Sequence, residues 1–158
     1  MQISNTLEVG DLGEIVKQHG ILYGKEYGYD YTFEAYVAEP LAQFVKRQSP
    51  RERIWLVKID TKLVGSICIC ELSDNEAQLR WFSVTPEARG KGLGKILMDK
   101  ALSFSAEQGY QKVVLWTVKG LAASTALYLK YGFAITQEIE HELWGKEQLE
   151  QCYEKVLQ

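Results

Sequence analysis

The sequence predicts a single α+β domain built on an antiparallel meander with helices before and after it. Three observations carry this reading. Apolar, β-branched runs between Arg53 and Val84 are punctuated by the polar turns Asp60-Thr61-Lys62 and Ser73-Asp74-Asn75. Leu93, Ile96, Leu97, Ala101, Leu102 and Phe104 recur at helical spacing directly afterwards. No repeat, low-complexity tract or Pro/Gly-rich linker divides the 158 residues, a length sufficient for one buried core.

Taken in order, Leu12, Ile15, Val16 and His19, followed by Leu22 and Tyr23, predict a first helix. His19 lies on its apolar face and reads as a packed or rim histidine rather than a catalytic one. An aromatic loop with two glycines, Tyr23 to Tyr31, should follow. A second helix is expected from Thr32, whose hydroxyl can cap it, with Pro40 kinking or dividing it. Strands are predicted at Arg53–Ile59, Leu63–Leu72 and Ala77–Val84, then the long helix ending at Gly109. Beyond it come a strand at Lys112–Val118, a helix over Leu121–Tyr131 and a strand from Phe133 to about Glu142. Leu149, Cys152, Tyr153 and Val156 fit either a helix or an edge strand.

Composition narrows function. With 18 basic and 21 acidic side chains the formal charge is -3, which argues against obligatory nucleic-acid binding. Three cysteines, an odd count with Cys68 and Cys70 only two apart, suit core packing in a reducing compartment. No apolar run approaches the ~20 residues of a membrane span, and no charged-then-apolar leader is visible. A cytoplasmic protein with no metal and no membrane partner is the expectation.

The most informative segment is Val84-Thr85-Pro86-Glu87-Ala88-Arg89-Gly90-Lys91-Gly92-Leu93-Gly94-Lys95. A strand runs through small and basic residues into a helix, so unpaired N–H groups gather at the positive end of a helix dipole, a seat for phosphate. Glycine permits close approach of a ligand to the backbone. The Rossmann fingerprint does not fit, because Thr85 to Arg89 separate strand from glycine and Lys95 takes its last position. The nucleotide-hydrolase phosphate loop does not fit either, since Ile96 stands where a hydroxyl is required.

Arg89-x-x-Gly92-x-Gly94 after Val84-Thr85-Pro86, with Tyr128-x-x-x-Gly132-Phe133 downstream, resembles the GNAT superfamily of N-acetyltransferases. The order of elements agrees over essentially the whole chain. His19-Gly20, Glu26-Tyr27-Gly28, Phe33-Glu34, Leu79-Arg80-Trp81-Phe82 and Leu143-Trp144-Gly145-Lys146-Glu147 are similar to the acetyltransferase domains fused behind winged-helix regulators. No winged-helix region is expected here, since the chain opens almost at its first acetyltransferase helix.

The resemblance implies a mixed, mostly antiparallel sheet of six or seven strands, with a splayed parallel pair ending at Val84 and Val118. It implies acetyl-coenzyme A as co-substrate. The pyrophosphate would sit on the backbone of Arg89, Gly90, Lys91, Gly92, Leu93, Gly94 and Lys95. The pantetheine arm would lie along Phe82, Ser83 and Val84, with Ser124 in reach. Tyr128 occupies the position whose hydroxyl faces the sulfur. Two departures are visible: the strand Gln78–Val84 lacks the glutamate that many members use as base, and Lys119-Gly120-Leu121 lacks the usual asparagine. Glu34 is then the expected general base, with Glu26 behind it, and Tyr23, Tyr27 and Phe33, among the aromatics that include Tyr31 and Tyr36, the expected acceptor wall. Direct transfer to a primary amine of a small molecule or peptide is the implied reaction. A non-catalytic acyl-coenzyme A sensor is the alternative, and a homodimer is compatible with either. Glu26, Asp30 and Glu34 hint at a cationic acceptor.

Overall fold

In the computed structural model, which describes residues 1–157, seven strands form one sheet. These are β1 (Gln2–Ser4), β2 (Arg53–Ile59), β3 (Lys62–Glu71), β4 (Glu76–Val84), β5 (Lys112–Val118), β6 (Ala134–Leu143) and β7 (Lys146–Val156). The order across the sheet is β1-β2-β3-β4-β5-β7-β6. Every neighbouring pair is antiparallel except β4 and β5. The expected α+β class and the parallel pair are both present.

Four helices cover the faces: α1 (Asp11–Tyr27), α2 (Thr32–Arg47), α3 (Leu93–Glu107) and α4 (Ala122–Lys130). The period-2 strand pattern splits the core in two. Val57, Ile67, Leu79 and Leu115 meet Leu97, Met98 and Phe104 of α3 on one face. Leu56, Cys68, Cys70 and Val118 meet Ile15 of α1 and Phe33, Val37 and Leu41 of α2 on the other. Cys68 and Cys70 therefore share one buried face, as their spacing predicts.

Several expectations need correction. The aromatic loop is mostly helix: α1 continues through Gly24 to Tyr27 and stops only at Gly28, whose φ of 71° ends the helix in the left-handed region. Thr32 does not cap α2; its amide and hydroxyl both donate to the Asp30 carboxylate. Pro40 leaves α2 a single helix, costing one backbone bond in a helix whose apolar face is anchored by Val37 and Leu41. The tail is a strand, and not an edge: β7 lies between β5 and β6. The short β1, paired to β2, carries no apolar pattern and is absent from the prediction.

Candidate functional site

The site begins where β4 and β5 separate. They pair from Glu76–Gln78 with Lys112–Val114 and then diverge. Beyond that point β4 is bulged. Its register against β3 jumps from Arg80↔Cys68 to Ser83↔Ser66, so Trp81 and Phe82 together oppose Ile67. Trp81 takes φ 49°, a left-handed conformation costly for a bulky residue, and the Ser66 hydroxyl donates to its carbonyl at 2.6 Å. The bulge resets side-chain alternation. Leu79 packs in the α3-side core and Trp81 in the α1/α2-side core, while Phe82 returns to the α3 side. In an unbroken strand Leu79 and Trp81 would share a face.

Past β4, Pro86–Ala88 make one tight turn, and the chain enters α3 through Gly90 (φ 79°) and Gly92 (φ 78°). A Cβ at either glycine would meet nothing within 4 Å, so backbone conformation demands glycine there while the space above stays open. Gly92 is the residue before α3, and no side chain caps that end; the first N–H groups of the helix are left for an outside acceptor. A groove of about 300 Å³ runs over this turn, lined by Phe82, Ser83, Val84, Arg89, Gly90, Gly92, Leu93, Gly94 and Ser124. Nine of the eleven expected cofactor residues thus converge. Lys91 and Lys95 do not line it; Lys91 is exposed, and the Lys95 ammonium is 2.9 Å from Asp99.

Arg89 is already engaged. Its guanidinium grips both Glu26 oxygens at 3.0 and 2.6 Å and donates to the Val84 carbonyl at 3.0 Å. Those bonds hold the Glu26 carboxyl below its usual range. Glu26 is therefore a latch between α1 and the turn, and a poor base.

A second cavity, of about 110 Å³, opens on the α1/α2 side of the splay. Tyr23 and Phe33 line it as expected, and Tyr36 joins them. Tyr27 lines the groove instead, and Tyr31 is 81% exposed, away from both. Tyr29 and Trp144 complete the aromatic wall, with ring centroids 4.8 Å apart. Trp144 comes from the β6–β7 turn, which docks on the α1–α2 loop: the Asp30 amide donates to the Trp144 carbonyl at 3.0 Å and Lys146 to that of Tyr27 at 2.7 Å. A Cβ at Gly145 would meet the Asp30 carboxylate at 2.9 Å, so this close approach needs glycine.

Tyr23 and Phe82 line both spaces, so groove and cavity adjoin there. Tyr128 lines the cavity at this junction, 6% exposed, its ring 6.3 Å from Phe82 and 5.6 Å from Tyr153. Burial raises its phenol pKa well above 10, opposed in small part by the nearby Ser124 hydroxyl. His19 also lines the cavity. Its Nδ1 sits 2.8 Å from the Ile15 carbonyl and so carries the proton, leaving Nε2 a buried acceptor without a protein partner. Burial lowers its pKa from 6.5 to about 4.

Glu34, the expected base, is not at the cavity. It is exposed on α2 with its side chain against Gly20, because its helical phase points it across α1 rather than into the sheet. The carboxylate that does line the cavity is Glu150 of β7, 3.3 Å from His141. The sequence alone gives Glu150 no role because the fold of the tail is open in it; Trp144 and Arg80 enter there only through the likeness to winged-helix-fused domains, and Gln78 only as the start of a strand without the glutamate.

The model of the acetyltransferase (GNAT) family matches residues 21–133. An uncharacterized N-acetyltransferase of Schizosaccharomyces pombe is 30% identical over 122 residues, covering 75% of this chain and 74% of the relative. Human N-acetyltransferase 8B is 32% identical over 97 residues, 58% of this chain but only 43% of that longer protein. An N-acetyltransferase from Staphylococcus aureus Mu50 superposes with TM-score 0.81 at 18% identity, covering 99% of this chain and 98% of its own. An acetyltransferase from Salmonella typhimurium, solved with its cofactor acetyl-CoA, gives TM-score 0.79 at 16% identity, covering 99% and 94%. At these identities the structures show a shared fold.

Proposed function

The chain belongs to the acetyltransferase (GNAT) family, and we propose that it moves an acetyl group from acetyl-coenzyme A directly to the primary amine of a small molecule or peptide. The observation that carries this reading is the meeting of the phosphate-turn groove with the aromatic cavity at Phe82 and Tyr23, beside the Tyr128 phenol.

The co-substrate supplies the activated thioester. The free N–H groups of Gly90 through Gly94 and the α3 dipole suit its pyrophosphate, and the open space above both positive-φ glycines fits a bulky anion. Main chain at Phe82–Val84, left without a β5 partner by the splay, would hold the pantetheine arm as if it were a further strand, and Ser124 would meet it from α4.

Two proton transfers remain for the chain itself. An amine of pKa near 10.4 is almost wholly protonated at pH 7, a deficit of roughly 4–5 kcal/mol that desolvation and a base must offset. Of the carboxylates at the two cavities, Glu26 is held by Arg89, so Glu150 takes the role first assigned to Glu34. At the sulfur, Tyr128 donates the proton that turns the departing thiolate into a thiol; its apolar setting keeps the phenol neutral. Of the residues carrying the likeness to winged-helix-fused domains, His19, Phe33, Leu79, Arg80, Trp81, Phe82 and Trp144 line the acceptor cavity, whereas Glu26 and Tyr27 line the groove and Glu34 neither. Cys68, Cys70 and Cys152 are free and buried, which favours a reducing, cytoplasmic setting.

Calorimetry with coenzyme A and a thiol-release assay over a panel of amines test this reading. Micromolar coenzyme A binding with acceptor-dependent release is expected. Failure of coenzyme A to bind, or ATP binding in preference to it, would refute it.

A further inference from the structure

The acceptor cavity carries charge as well as aromatic surface, and its charges are arranged in an unusual way. Arg80 on β4 lines it, with its guanidinium carbon 5.1 Å from the Trp81 ring centroid. Of the other four arginines, Arg47, Arg51 and Arg89 are each paired with a glutamate, and Arg53 lies over the Phe104 ring outside both cavities. Arg80 has no carboxylate within 4.0 Å among the described residues, although it is only partly exposed. A half-buried guanidinium without a counter-ion at a cavity wall is costly unless an anion arrives from outside.

Glu150 brings the opposite charge to the same wall from β7. Register explains how. Glu150 lies opposite Val118 in the β5–β7 ladder, and Val118 packs in the α1/α2-side core. Arg80 lies opposite Cys68, in that same core. Both therefore stand on one sheet face, and the Tyr36 phenol of α2 feels both: burial raises its pKa, Arg80 opposes the rise and Glu150 adds to it. Arg80 and Glu150 do not pair with each other. The remaining wall is aromatic, with Trp144 4.9 Å from Phe33 and 5.0 Å from Tyr36, centroid to centroid. A cation, an anion and a box of rings describe the complement of a zwitterion with a flat apolar side chain.

Resting on the acetyl-transfer reading above, we propose that the acceptor is an α-amino acid with an aromatic side chain, its carboxylate held by Arg80 and its ammonium drawn to Glu150. The amino nitrogen forms the new bond to the acetyl carbon as the carbon–sulfur bond breaks. The ammonium first gives one proton to Glu150; after attack the nitrogen loses a second, which restores the Tyr128 phenol that has protonated the sulfur, so the products are an N-acetyl amino acid, the coenzyme A thiol and the proton carried off by Glu150. A basic amine without a carboxylate, such as a polyamine, would leave Arg80 unmatched inside the cavity, a penalty that works as specificity.

The test uses matched acceptors with the same rings: L-tryptophan against tryptamine, and L-phenylalanine against phenethylamine, with spermidine as an aliphatic cation. The expected kcat/KM preference for the carboxylate-bearing member is ~10–100-fold, the worth of one charge-assisted contact. Arg80→Met should bring that ratio toward one, mainly through KM, and Arg80→Lys should restore part of it. A purely structural Arg80 would change stability and leave the ratio alone. Calorimetric binding of the same pairs to the coenzyme A-loaded chain reads the preference without chemistry. Absent turnover with coenzyme A bound would thus count against acetyl transfer, while the binding pair still decides the acceptor. Equal or better binding of the amines, no binding of either member, or an unaltered ratio in Arg80→Met would overturn the proposal.

Discussion

Tyr128→Phe isolates the proposed proton donor with little collateral damage. The ring packs among Phe82, Phe133 and Tyr153, with centroids 5.6 to 6.3 Å away, and phenylalanine keeps all three contacts. Only the hydroxyl is lost, and the nearby Ser124 hydroxyl is half-buried and can turn to water, so stability should change by no more than about 1 kcal/mol. The kinetic effect is larger. A thiol with a parent pKa of about 8.5 is favoured over its thiolate at pH 7 by roughly 2 kcal/mol, about 30-fold. General-acid help commonly reaches ~10²–10⁴-fold, so 30-fold is the floor for the fall in kcat. Coenzyme A affinity should hold within about threefold, because the pyrophosphate turn is untouched. Because burial keeps the phenol protonated well above pH 10, this residue should impose no falling limb on the wild-type rate profile below that pH. The assay is thiol release at saturating acceptor with coenzyme A calorimetry alongside. A kcat within threefold of wild type would make Tyr128 a core aromatic and refute the donor role.

Three other perturbations test separate parts of the site. Gly92→Asp forces an L residue to φ 78° and sets a carboxylate over the free amides of α3; coenzyme A affinity should fall more than about 100-fold, and retained calorimetric binding would place the ligand elsewhere. Glu150→Gln should lower kcat/KM by about 100-fold or more with any acceptor, and a change under threefold would remove it as base. His19 is neutral when folded, with its pKa lowered to about 4 from 6.5, so the unfolded chain binds the extra proton between those values. The folded state should lose stability as pH falls below 6.5 and stop losing it near 4, a total of order 3 kcal/mol. Urea midpoints across pH 4–7 for the wild type and His19→Leu measure this, and equal slopes in the two proteins would refute it.

What could be read from sequence was local. Arg53–Ile59 and Lys112–Val118 are bounded by turn residues and dense in β-branched side chains, and both strands fall where predicted. The phosphate turn is likewise one contiguous segment, so its glycines announce it. β7 resisted because its buried positions are mixed: Gln151, 6% exposed, bonds to Glu138 at 2.7 Å, and Cys152 and Tyr153 are buried consecutively. A period of two cannot be seen through such a run. Glu34 failed for a related reason: a helix offers several carboxylates, and only the packing of α2 on α1 decides which meets the cavity. The aromatic cavity draws on α1, α2, α4, β4, β5, β7 and the connections that carry Tyr29, Leu121 and Trp144, nine places with no signature in common.

The bulge at Trp81 ties the readable half of the site to the unreadable half. One residue out of register puts Trp81 beside Arg80 on the face of the aromatic cavity and Phe82 at the junction, after which Ser83 and Val84 pair again with Ser66 and Gly65 of β3. A left-handed tryptophan costs on the order of 1–3 kcal/mol, which its burial against Phe44 at 6.0 Å and the Ser66 bond help to offset. A regular β4 would avoid that cost, but Phe82 could not then border both cavities, because alternation would commit it to one face. The strain is thus located where the groove and the aromatic cavity share a wall, and it is what lets one strand line the cavity and then run directly into the glycine turn that lines the groove.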